Sequence, residues 1–296
     1  MTSGLIETAP RSRAFGRLLA AAAICVVALV AIDLFFLHTE IGQRMDDAAL
    51  EGRVVQHFQA REESERLLRT VSIGSLALLG GGIMLIAVAR GRGLLALAVG
   101  GVIAGSNLST QFLKKTLERP DLLTDPDVFS FNSLPSGHAT VAMSLAAALV
   151  LAVPARARPL AAMVGALYAT GIAAMTLAAG WHRPSDAFAA FAVVGVWAFG
   201  AAAALVAIRG TGDGEPKASF SALVIGSAVV LGAAFLVLAA TTTVNTAGGI
   251  ETVRIGVAYM VASGAITVVG VALLVSIVLL LRGVSLDAPN RQLVVA

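Results

Sequence analysis

The sequence predicts an all-α protein, a polytopic membrane bundle of about eight transmembrane helices. Three observations predict it. Hydrophobic residues make up 57% of the 296 residues and charged ones 13%, where soluble globular chains run near a quarter charged. Mean hydropathy is +0.87. Apolar runs close to the roughly 20 residues that cross a bilayer recur along the chain. A chain this apolar keeps no wet surface, so lipid is its solvent, and a pair of soluble domains is excluded.

The runs are Phe15–Leu37, Val71–Ala89, Leu94–Phe112, His138–Val153, Leu160–Ala179, Ala187–Ile208, Phe220–Ala240 and Ile255–Leu281. Backbone groups in hydrocarbon must pair within their own segment, so each run reads as a helix. Gly101 and Gly105 stand at the GxxxG spacing that suits close helix packing. The first run follows Arg11, Arg13 and Arg17. It is too long for a signal peptide and lacks a small-residue cleavage site, so it reads as a retained signal anchor.

Basic residues recur in alternate loops: Arg90 and Arg92, Arg156 and Arg158, Arg209 and Lys217, Arg282 and Arg291. With the amino end they fall on one side, which the positive-inside rule makes the cytoplasm. Both termini are then inside, in a plasma (cytoplasmic) membrane. The outer side receives the 38–69 loop, Leu113–Gly137, Gly180–Asp186 and Thr241–Arg254. The 38–69 loop mixes acids and bases, among them Asp46, Asp47, Arg53 and Arg61. Its Ala49, Leu50, Val54, Val55 and Phe58 suggest an amphipathic surface helix, either a solvated connector or a substrate lid. Gly210–Lys217 reads as a flexible linker. The domain reading is 1–209 for the membrane catalytic part, with core motifs in 94–208. A linker at 210–218, a two-helix hairpin at 219–282 and a cytoplasmic tail at 283–296 follow. Three roles fit the hairpin: closing the bundle, a homodimer contact or serving a partner.

The net charge of +3 and pI near 9.5 are explained by topology rather than nucleic-acid binding. Aromatics at 5% give no base-stacking platform. Cys25 is the single cysteine and reads as a small apolar core residue; no cysteine cluster exists to hold zinc. Asp33 is nearly the sole acid inside a span, which argues against an ion pathway.

Three outer segments hold polar residues that topology does not require. Lys114, Lys115 and Arg119 put three cations within six residues. Lys115 and Arg119 are four apart and would share a helix face. Arg fits phosphate oxygens in pairs and Lys acts as a point charge; the plain alternative is snorkelling at a helix end. In Leu134-Pro135-Ser136-Gly137-His138, Ser136 is placed to N-cap the next helix. The free amides and positive dipole end there make an anion site. Gly137 permits close backbone approach, and His138 sits in the first turn. An ordinary capped helix start would not need that histidine. In Gly180-Trp181-His182-Arg183-Pro184-Ser185-Asp186, a carboxylate on one imidazole nitrogen of His182 would leave the other free to attack. If Pro184 starts the helix, His182 and Asp186 straddle its first turn. The plain alternative is a capped turn with an interfacial Trp.

In this order and between these spans, the three segments resemble the signature motifs of the type 2 phosphatidic acid phosphatase (PAP2) superfamily, the acid-phosphatase/vanadium-haloperoxidase fold. Pro135-Ser136-Gly137-His138 matches the second motif in full. His182 with Asp186 matches the His-x-x-x-Asp half of the third. Lys114 or Lys115 with Arg119-Pro120 resembles the first. The resemblance covers roughly Leu94–Ile208.

The resemblance implies a metal-independent reaction with no cofactor. His182 would attack phosphorus and form a phosphohistidine, and Asp186 would orient it. His138 would protonate the leaving oxygen and then help activate water. Lys114, Lys115, Arg119 and the amides of Ser136 and Gly137 would hold the phosphoryl oxygens. Two departures stand out. The first-motif lysine position, seven residues before Arg119, is Phe112. The third motif's upstream Ser-Arg pair is Met175-Thr176, so one phosphate-binding arginine is missing and Arg183 is the candidate to replace it. The leading expectation is a lipid phosphate or pyrophosphate phosphatase at the outer leaflet. Its partners would be its lipid substrate and the bilayer, with no nucleic acid. Phosphatidic acid, phosphatidylglycerol phosphate or a polyprenyl pyrophosphate would each fit. A phosphotransferase using the same intermediate and a lipid-phosphate binder are the alternatives. The haloperoxidase relatives are soluble, which sets that reaction aside.

Overall fold

A computed structural model describes residues 11–55, 58–123, 132–210, 250–284 and 286. Among these the chain is helical, and it forms an all-α membrane bundle. Helix α1 spans Arg11–Ile32 and passes into a π-helical turn, Asp33–Leu37. α2 is Glu40–Glu51, followed by a 3-10 turn at Gly52–Val55, and α3 is Phe58–Leu68. The remaining helices are α4 Ile73–Ala89, α5 Gly93–Thr116, α6 Gly137–Ala152, α7 Arg158–Ala178, α8 Pro184–Arg209 and α9 Ile250–Leu280.

Among the described residues five segments are long and apolar enough to cross a membrane: Arg11–Leu37, Gly93–Thr116, Ala155–Ala178, Pro184–Arg209 and Val253–Leu280. Gly74–Ala89 and Gly137–Ala152 are shorter apolar helices. Seven of the eight expected runs are therefore helices. The eighth, Phe220–Ala240, lies outside the described residues, as do residues 211–217 of the linker, most of Thr241–Arg254 and Arg291.

Among the described residues the shortest apolar helix is the most enclosed. α6 has 16 residues, about 24 Å at 1.5 Å per residue, which is less than a full bilayer core. Its Ala139, Ala142, Met143, Ala146, Val150 and Leu151 are all buried, because α5, α7, α8 and α4 surround it. Small residues bring the helices this close. A Cβ on Gly165 of α7 would stand 2.8 Å from the Ala146 side chain. Gly270 of α9 meets Thr170, Phe191 and Met143, so the last helix packs on α6, α7 and α8. Cys25 of α1 seats against Gly195 of α8. The glycine pair of α5 divides: Gly105 lies under the Trp197 ring, while Gly101 has open space beside it. The GxxxG spacing thus marks one close contact, not a seam.

The helices alternate in direction. The end of α1, the end of α5, the start of α6, the end of α7 and the start of α8 meet at one end of the bundle. The basic loops collect at the other, where Arg90 donates to Ala152 O at 2.8 Å and Arg158 to Leu281 O and Val284 O at 3.2 and 3.1 Å.

The 38–69 segment departs from the single surface helix expected. Thr39 caps α2 by accepting the Gly42 amide at 3.0 Å. The helix stops at Glu51, so Val54 is left exposed and Val55 buried. Gly52 then approaches α9 so closely that a Cβ would lie 2.6 Å from the Tyr259 side chain. The buried stripe of α2 is Gly42, Gln43, Asp46, Ala49 and Leu50, and two of those five are strongly polar. Gly42 packs on the Phe35–Phe36 backbone, and Ala49 and Leu50 join the hydrophobic core.

Candidate active site

α7 ends in a Schellman turn. The Gly180 amide donates to Leu177 O at 3.0 Å and the Trp181 amide to Thr176 O at 2.9 Å. Gly180 adopts φ +75°, a region that favours glycine. A Cβ there would also stand 2.6 Å from Arg53 Nε. The turn delivers His182 to the end of the bundle. Pro184 then opens α8, where its missing N–H costs nothing. Asp186 sits one turn in, and its Oδ2 reaches back to accept the Arg183 amide at 3.0 Å.

The same oxygen accepts from Ser133 Oγ at 2.6 Å and pairs with His182 Nδ1 at 2.9 Å. Asp186 is 2% exposed and His182 9%, and these donors offset the burial of the carboxylate. A carboxylate only accepts, so His182 carries its proton on Nδ1 and presents the Nε2 lone pair. The pair straddles the first turn of α8, as its spacing predicts.

The Ser136-Gly137-His138 segment is joined directly to this turn. The Ser136 amide donates to Asp186 O at 2.9 Å, and Ser136 Oγ caps α6 by accepting the Ala139 amide at 3.4 Å. The cap is as expected, but the amide role differs. With the Ser136 N–H engaged by Asp186, the Gly137 and His138 amides are the ones with no acceptor among the described residues. They open α6 at its positive dipole end. The half-buried His138 ring lies 5.4 Å from the Trp181 ring. Lys114 and His182 both act on it electrostatically.

The first segment is split by its helix end. α5 stops at Thr116 and Leu117 is extended, so Lys115 and Arg119 do not share a helix face. Lys114 is partly buried and within electrostatic reach of Asp186, whereas Lys115 is exposed. The Arg119 side chain turns inward and is 5% exposed. The structure therefore brings Lys114, Arg119, Gly137, His138, His182, Arg183 and Asp186 to one place, and leaves Lys115 at its edge. Thr176, where the upstream arginine is missing, is buried and its hydroxyl donates to Ala173 O at 2.7 Å.

Residues of α2 complete the arrangement, and reading the sequence did not pick them out as site residues. Asp47 Oδ1 accepts from Arg183 Nε at 2.6 Å and lies 3.4 Å from Arg119 Nη2. Asp46 Oδ1 accepts the Ser185 amide at 3.1 Å, its Oδ2 takes the Ser185 hydroxyl, and Arg119 Nη1 stands 3.8 Å away. Gln43 donates to Leu37 O at 2.8 Å and to Pro120 O at 2.7 Å. Burial, reinforced by the Asp186 charge, pushes the Asp46 carboxyl up to about 7. Burial and the neighbouring Arg183 hold Arg119 below its ordinary value, opposed by Asp47 and Asp46. The available signal was the polar pair Gln43 and Asp46 on the helix stripe that also carries Ala49 and Leu50.

With this geometry in place, comparison with known families is decisive for one segment. Residues 95–210 match the family model of the PAP2 superfamily. This segment belongs to the PAP2 superfamily. The match runs from the first turn of α5 to the end of α8 and contains Lys114, Arg119, His138, His182 and Asp186, close to the Leu94–Ile208 that the motifs delimit. Members of that superfamily are generally phosphatases acting on phosphate esters, and the apolar helices mark this as a membrane protein. No match is found among curated proteins or among solved structures.

Proposed function

We propose that this PAP2 protein is a lipid phosphate or pyrophosphate phosphatase, working at the outer face of the plasma membrane through a phosphohistidine. The observation that carries the reading is the His182 Nδ1–Asp186 Oδ2 pair at 2.9 Å, facing a second histidine at a helix N-terminus. His182 Nε2 attacks phosphorus while the bond from phosphorus to the leaving oxygen breaks. His138, protonated, gives its proton to that oxygen. Water then attacks the phosphohistidine with His138 as base, the P–N bond breaks, and inorganic phosphate leaves. Lys114, Arg119, Arg183 and the Gly137 and His138 amides hold the equatorial oxygens, where positioning and charge stabilisation supply the catalysis. No step calls on a metal ion.

Two observations support a membrane lipid as substrate and the outer face as the side. The basic residues of the described loops gather at the end opposite the site, and the positive-inside rule then supports an outward-facing site. A groove of about 690 Å³ between α1, α8 and α9 begins at Ile32 and Phe188, two residues beyond Asp186. Its walls, Phe191, Phe199 and Leu273 among them, are apolar and suit a hydrocarbon chain.

The test is inorganic phosphate release by the purified full chain in detergent with a chelator present. The panel is phosphatidic acid, phosphatidylglycerol phosphate and a polyprenyl pyrophosphate. Release from a panel member, lost in His182→Ala, is expected. No release from any of them by a folded protein would overturn the reading.

A further inference from the structure

The proposed site has a wall that its motifs do not supply. α2 is fastened to it at three successive points of one face. Gln43 holds the carbonyl of Pro120, beside Arg119. Asp46, with its side chain fully buried, caps the start of α8 through the Ser185 amide and hydroxyl. Asp47 joins Arg119, from the first segment, to Arg183, from the third. These two arginines lie far apart in sequence, and a shared carboxylate offsets the repulsion of bringing two cations together.

Resting on the phosphoryl-transfer reading above, we propose that Asp47 is a positioning residue, which sets Arg119 and Arg183 as one phosphate-gripping pair in place of the arginine missing at Thr176. Asp46 and Gln43 anchor the helix that carries it. A carboxylate on two arginines could instead be a plug that substrate displaces. The geometry favours a fixture. Lifting Asp47 away would also draw on Asp46 and Gln43, both 2% exposed or less. Parting buried polar groups from their hydrogen-bond partners is unfavourable. Asp47 takes Arg183 by Nε, so the guanidinium plane is held at its base, as partners behind a ligand orient a site.

The test uses orthovanadate, a phosphoryl transition-state mimic, titrated against the full chain in detergent and followed by thermal shift. The chains are wild type, Asp47→Asn, Asp47→Ala and Asp47→Glu. Asp47→Asn and Asp47→Ala are expected to weaken vanadate about 10-fold or more, the scale on which losing an orienting partner acts. Asp47→Glu, which keeps the charge, recovers part of that loss and serves if the other two fail to fold. A merely structural role would lower the melting temperature and leave vanadate affinity unchanged, overturning the proposal. Tighter binding in Asp47→Asn would also overturn it, because the carboxylate would then be a plug. If wild type itself neither binds vanadate nor releases phosphate, the phosphoryl-transfer reading falls and takes this inference with it.

Discussion

At the scale of single residues, Asp186 and Asp46 are two buried carboxylates with different work. Asp186 spends one oxygen on His182, Ser133 and the Arg183 amide, which fixes the histidine tautomer. Asp186→Asn keeps the shape but offers a donor where His182 already donates. The expected loss in kcat is on the order of 10³-fold or more, by analogy with other carboxylate–histidine pairs, measured by phosphate release at matched protein folding. Asp46 bears on stability. Its neighbours are Asp186, Arg119 and Ser185, and its folded pKa near 7 stands above the ordinary 3.8. The fold therefore favours the protonated form. The stabilisation is complete below about pH 4 and is lost as pH rises through about 7. Melting temperature against pH should fall across that window in wild type and flatten in Asp46→Asn. Identical slopes would contradict the assignment.

At the scale of elements, turns and caps decide where the chemistry points. Gly180→Ala forces a side chain into φ +75° and onto Arg53. It should destabilise the turn by about 1–2 kcal/mol and lower turnover, since His182 is the second residue beyond it. Thermal melts and phosphate release would check both. Ser136→Ala removes the α6 cap at a cost of about 1 kcal/mol, read the same way. These elements were legible in different degrees. The spans announced themselves through apolar runs, and Ser136 and Pro184 start their helices where their capping and N1 preferences put them. The end of α5 was not legible, because Lys114 to Arg119 contains no glycine or proline before Pro120 and continues a helical pattern. Nor was the role of α2. Its Gln43, Asp46 and Asp47 sit among many charged residues in 38–69, and nothing local distinguishes a carboxylate that meets Arg183, more than a hundred residues away, from one that meets water.

For the whole molecule, the proposed function puts the site outside and the basic loops inside. In a Cys25→Ser background, Glu118→Cys should react with a membrane-impermeant maleimide in intact cells, and Arg156→Cys only after permeabilisation. Both positions are exposed, so the reverse pattern would invert the topology. In the proposed chemistry His182 carries the phosphoryl group. The most direct measurement mixes the full chain with a turning-over lipid phosphate, quenches in alkali to preserve the P–N bond, and reads the mass of the peptide bearing His182. A phosphoryl group on His182 is expected in wild type, and none in His182→Ala. Full turnover with His182 unmodified at every quench time, and undiminished release in His182→Ala, would contradict that chemistry.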